Sequence, residues 1–95
     1  MLELLFFTGP DCSACRVVKP YVEKLKDERF TVRVIDISND PHTAHTYGVR
    51  ALPTLIVLDS FHRVLDTYVG TMSESQFINW LNKFLFFRIR GFDHG

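Results

Sequence analysis

The chain has two cysteines, and they form one motif, Cys12-Ser13-Ala14-Cys15. Two thiols at that spacing can close a ring between neighbours or serve as half of a metal site. Zinc normally takes four ligands and no second pair accompanies this one, so the spacing points to dithiol–disulfide chemistry with no metal. The preceding run Leu2 to Phe7 reads as a strand buried on both faces, bounded by Thr8-Gly9-Pro10. The pair therefore falls at the start of the next helix, where backbone amides point outward and the helix dipole is positive. That placement favours a thiolate, the form that attacks a disulfide. Cys12, at the helix end nearer solvent, is the expected nucleophile, and Cys15, one turn further in, the resolving cysteine. Arg16 should favour the thiolate and Asp11 oppose it, which makes both candidates for tuning the pair.

The elements that must hold these residues follow from periodicity. Val17, Val18, Tyr21, Val22 and Leu25 recur at helical spacing, which predicts an amphipathic helix from Asp11 to about Glu28 with Pro20 bending it. Phe30 to Ile37 is rich in β-branched residues and reads as a second strand. Asn39-Asp40-Pro41 starts a short helix that should run through Tyr47 and stop at Gly48. Thr54 to Leu58 and Arg63 to Val69 read as the arms of a hairpin around Asp59-Ser60-Phe61-His62. Ser73 and Gln76 have capping-box spacing ahead of a last helix whose Phe77, Trp80, Leu81, Phe84 and Leu85 share a face. The order β-α-β-α-β-β-α predicts an α/β sandwich: a mixed four-stranded sheet, parallel across the crossover, antiparallel at the hairpin, with helices on both faces. Residues 1–90 read as one domain and 91–95 as a loose tail.

Composition narrows the function classes. The 95 residues are 46% hydrophobic and 23% charged, with no formal net charge, as suits a single globular domain. Basic and acidic residues are interspersed, so no nucleic-acid footprint is expected. The start, Met1-Leu2-Glu3-Leu4-Leu5-Phe6-Phe7, lacks a basic leader, and no apolar run approaches the ~20 residues of a bilayer span. Cysteines kept for chemistry fit a reducing compartment, and the cytoplasm is the expected location. His42, His45, His62 and His94 read as surface residues. Phe84 to Phe87 carry too many apolar side chains for one stripe. Packing under the chain end is expected ahead of a dimer contact, and a dimer contact ahead of a membrane surface; the chain is accordingly expected to be monomeric.

Several motifs together resemble the thioredoxin superfamily over nearly the whole chain. Leu4 to Phe7 ahead of the Cys12–Cys15 motif, with Pro20 beyond it, resembles the active-site strand and kinked helix. Val49-Arg50-Ala51-Leu52-Pro53-Thr54 resembles the stretch bearing the family's cis-proline, and Val69-Gly70 with Ser73-Glu74-Ser75-Gln76-Phe77 the last strand and helix start. The resemblance implies a cis Leu52–Pro53 bond against the sulfurs, with the Leu52 backbone presented to an extended substrate segment. It also implies a protein-disulfide oxidoreductase working mainly as a reductase. Such an enzyme holds no cofactor beyond its own sulfurs, takes protein disulfides as substrates, and is re-reduced by an upstream reductase or a low-molecular-weight thiol.

The sequence also departs from the family. Asp11 and Ser13-Ala14 stand where thioredoxins usually have Trp and Gly-Pro. Phe6 and Val34 take the places of a buried carboxylate and its lysine partner, leaving another base or water to serve Cys15. The chain begins at the active-site strand, as in the glutaredoxin-sized minimal fold, yet lacks the Gly-Gly and Thr-Val-Pro stretches of glutaredoxins. Two other readings of the pair stay open: a carrier holding zinc or an iron–sulfur centre between two chains, and a module that binds extended peptides without exchanging electrons.

Overall fold

In the computed structural model, which describes the backbone of residues 1–94 and the side chains of residues 1–85, the elements are β1 (Leu2–Thr8), α1 (Ser13–Glu23), β2 (Phe30–Asp36), α2 (Pro41–Thr46), β3 (Thr54–Leu58), β4 (Val64–Val69) and α3 (Glu74–His94). The four strands lie in the order β2-β1-β3-β4. β1 pairs parallel to β2 and antiparallel to β3, and β3 pairs antiparallel to β4. This is the mixed sheet that the element order predicts.

The interior strands are apolar almost throughout because both of their faces are covered. Leu4, Phe6, Leu55 and Val57 face the layer formed by α1 and α3, where they meet Cys15, Val18, Val22, Phe77 and Leu81. Leu5, Phe7, Ile56 and Leu58 face the other way, toward Ile35 and Ala44 of α2. The edge strands differ. Val32 and Val34 of β2 are 36% and 44% exposed although they lie in register with Leu4 and Phe6.

Local chemistry explains the helix ends. At α3 the Ser73 amide donates to Gln76 Oε1 at 2.8 Å and the Gln76 amide to Ser73 Oγ at 3.2 Å, a complete capping box. Asp40 caps α2 by accepting from the Thr43 amide. At its other end Gly48 takes a φ of +68°, open to glycine without a Cβ penalty, and the Val49 amide reaches back to the Ala44 carbonyl.

The first helix is shorter than its periodicity predicts: it ends at Glu23, not near Glu28. The ladder continues past Pro20, whose carbonyl accepts from the Lys24 amide at 3.0 Å, and closes where the Leu25 amide makes a tighter bond to the Val22 carbonyl. Val17, assigned to the apolar face, is 48% exposed. The hairpin return begins at Val64 rather than Arg63, whose amide and guanidinium are both bound by the Asp59 carboxylate in the turn.

Asp66 ties β4 to α3. Burial alone would push its carboxyl up, but donors from Trp80 Nε1 and Lys83 Nζ outweigh that and hold it below the ordinary carboxylate range. Trp80 also packs edge-on against Tyr68 and Phe84. The side chains of Phe86 and Phe87, and the tail assigned to residues 91–95, lie outside the residues whose side chains are described. Among the described residues no helix is long and apolar enough to cross a membrane.

Candidate active site

β1 delivers the chain to the site. After Thr8 the backbone passes Gly9 and Pro10, and Asp11 takes a φ of +57°, a left-handed conformation that Asp tolerates better than most residues. Sequence reasoning gives Asp11 an electrostatic part; the structure adds a conformational one, reversing the chain so that Cys12 becomes the N-cap of α1. Cys12 is half-buried and extended, and its Sγ accepts from the Cys15 amide at 3.1 Å. An N-cap normally offers oxygen to these orphan amides; here sulfur takes that place.

Cys12 and Cys15 are joined as a disulfide, with Cα atoms 5.3 Å apart. Their surroundings are unequal. Cys15 is 2% exposed in the core that contains Phe6, Val18 and Leu55, whereas Cys12 packs against that core from its margin. Cys12 is thus the more accessible of the two cysteines, and Cys15 the sheltered one. The Cys15 amide is placed to stabilise negative charge on Cys12 once the bond is reduced. Asp11 and Arg16 are both exposed beside the pair, and neither makes an ion pair among the described residues. His42, His45 and His62 are exposed as well.

Leu52 and Pro53 come to the same place through sheet register. Phe7 of β1 pairs with Thr54 of β3, and Thr54 with Val69 of β4. The residues just before Thr54 therefore lie beside those just after Phe7. The Leu52–Pro53 peptide is cis. Leu52 leans on Gly9: a Cβ built at Gly9 would fall 2.9 Å from Leu52 Cδ1. The Pro53 carbonyl accepts from the Gly70 amide at 2.9 Å. One polar group at this site escaped sequence reasoning. The Thr54 hydroxyl is buried and bound to the Ala51 carbonyl, and its available signal was being the lone polar residue at the head of the apolar run TLIVL.

A Cys-x-x-Cys disulfide between a half-buried and a buried cysteine, set at a helix start on a mixed sheet, is the arrangement of a thiol–disulfide oxidoreductase. The Thioredoxin family model matches residues 2–83. The chain is 35% identical over 85 residues to a thioredoxin of Pyropia yezoensis and 36% identical to one of Porphyra purpurea, in each case covering 86% of this chain and 78% of the relative. Thioredoxin 1 of Synechococcus elongatus is 35% identical over the same share of both chains. Among solved structures, a thioredoxin of Malassezia sympodialis superposes with a TM-score of 0.77 at 22% identity, covering 86% of this chain and 73% of that one. The chain belongs to the thioredoxin family.

Proposed function

We propose that this protein reduces disulfides presented by extended segments of other proteins, with Cys12 as nucleophile and Cys15 as resolving cysteine. The observation that carries the reading is the inequality of the two sulfurs: Cys12 at the helix start with the Cys15 amide 3.1 Å from its Sγ, and Cys15 itself 2% exposed. In the first step the Cys12 thiolate attacks one substrate sulfur, forming a mixed disulfide, and the other substrate sulfur leaves and takes up a proton. Cys15 then attacks Cys12 Sγ, closes the intramolecular disulfide and releases the second substrate thiol. Two electrons pass to the substrate, and an upstream reductase or a low-molecular-weight thiol returns them.

Asp11 and Arg16 tune the thiolate from opposite sides. Phe6 offers Cys15 no proton acceptor, so its proton leaves through water or through the departing substrate sulfur. Leu52 and Pro53 form the edge on which the substrate segment is held. No resident cofactor enters these steps, and the cytoplasm supplies the reducing setting they need.

The test is the reduction potential of the Cys12–Cys15 couple, measured against defined thiol–disulfide buffers by alkylation and mass. A value at or below about −250 mV supports a reductase, whereas about −180 mV or higher assigns the chain to oxidation or isomerisation. A pair that never closes, or that purifies with bound metal, would turn the reading to a carrier or a binding module.

A further inference from the structure

One buried polar side chain occurs among the described residues, that of Thr54, at 2% exposure. Valine would fill the same space without a hydroxyl to satisfy, and a buried hydroxyl is costly unless it is bonded. Thr54 Oγ1 donates to the Ala51 carbonyl at 2.6 Å. Ala51 is itself exposed and lies outside any helix or strand, and among the described residues no backbone amide donates to its carbonyl. The effect of the Thr54 bond is directional. The Ala51–Leu52 peptide is planar and trans, so drawing the Ala51 oxygen toward Thr54 points the Leu52 N–H the opposite way.

The neighbouring restraints isolate Leu52 as the part left open. On its far side the Pro53 carbonyl is fixed by the Gly70 amide, and its side chain rests against Gly9. Among the described residues no hydrogen bond takes up the Leu52 amide or carbonyl. A main-chain donor and acceptor are thus held between two anchored carbonyls at the rim of the site, as strand-like pairing with an extended segment requires.

From this we infer that Thr54 is a positioning residue for substrate: its hydroxyl aims the Leu52 N–H at the backbone of the bound segment. The inference rests on the proposed reading that this edge holds protein substrates. A small disulfide has no peptide backbone to pair, so its reaction with Cys12 is independent of Thr54.

Steady-state reduction of insulin, with dithiothreitol as donor, is compared with reduction of dithiobis(nitrobenzoate) for the wild-type, Thr54→Val and Thr54→Ser chains. Loss of one neutral hydrogen bond's worth of orientation raises the KM of T54V for insulin about fivefold with kcat little changed. The rate on the small disulfide stays at the wild-type value, and T54S restores the insulin KM. Equal losses on both substrates, an unchanged KM in T54V, or T54S behaving like T54V would overturn the inference. A wild-type chain that reduces the small disulfide but not insulin overturns the underlying reading, and the role of Thr54 falls with it. A second measurement does not depend on the T54V fold. When a cysteine peptide is joined to Cys12 of the Cys15→Ser chain, the Leu52 amide proton shifts downfield and exchanges more slowly with water, and an unmoved amide refutes the proposal.

Discussion

Residues 9–15 and residues 49–54 reach the same end of the sheet by different means. The first stretch is anchored at both ends by secondary structure: residues 9–12 join the central strand β1 directly to α1, with Cys12 as the N-cap and Cys15 in the first turn of the helix. The second runs from the end of α2 to the first residue of β3; its residues 49–53 lie outside any regular element and are fixed by individual bonds from Thr54 and Gly70 and by the packing of Leu52 on Gly9. The covalent step, which needs two sulfurs at bonding distance, is thus built on regular structure. Recognition, which needs exposed backbone groups, is built on a loop whose main chain has no ladder partner to satisfy it. Damage to the first stretch should remove chemistry, and damage to the second should weaken binding.

The largest effect tests the first half of that contrast. Cys12→Ser should abolish turnover on every disulfide, large or small, while Cys15→Ser should attack once and stop as a stable mixed disulfide, visible as an added mass that dithiothreitol removes. A C15S chain that turns over normally would break the assignment of roles within the pair. Phe6 comes next, because it supports both stretches from beneath. Truncating this fully buried ring by Phe6→Ala should cost about 3–5 kcal/mol in denaturant unfolding. Val34→Ala, one strand over in register and 44% exposed, should change stability by less than about 1 kcal/mol.

Gly9→Ala probes the seam between the stretches. The added methyl meets the flexible end of Leu52, 2.9 Å away, so Leu52 must shift. A rise of about twofold in the insulin KM, with the small-disulfide rate unchanged, is expected from a displacement worth a few tenths of a kcal/mol. A fall in the small-disulfide rate instead would mean that the two stretches do not divide the work.

The smallest effect lies away from both. In the turn before β2, the side chain and then the backbone amide of Arg29 bind the Asp27 carboxylate and hold its pKa at about 2 against an ordinary 3.8. A carboxyl lowered by folding contributes stability that is complete above 3.8 and is lost as pH falls through about 2. Thermal melts between those limits should show a small acid loss that Asp27→Asn removes, with activity at neutral pH untouched. Loss of neutral-pH activity in D27N would show that this turn reaches the site.

How much was legible in the sequence follows the range of the forces involved. The Ser73–Gln76 cap, the stop at Gly48 and the placement of Cys12 at a helix start depend on neighbours within a few positions, so residue types alone announce them. The strands declare themselves by composition, and the β1–β2 and β3–β4 pairings by the βαβ and hairpin spacings, whereas the antiparallel β1–β3 pairing that joins the two halves follows from neither. The end of α1 is not legible from period, because Val17 and Leu25 keep the helical spacing while the tighter closing turn from the Leu25 amide to the Val22 carbonyl marks where the ladder stops.

Distant contacts were another matter. The sequence of the motifs carries the family and, with it, the cis Leu52–Pro53 bond; nothing in local spacing requires it. Equally silent is which strand becomes an edge: β2 is as β-branched as an interior strand, yet Val32 and Val34 stand exposed because only β1 pairs with it among the described residues. The Thr54 hydroxyl is the clearest case. Local sequence determines that a threonine follows Pro53 at the head of an apolar strand, but its burial, and hence the value of its bond to Ala51, exists only once β1 and β4 close on either side of β3 and exclude water.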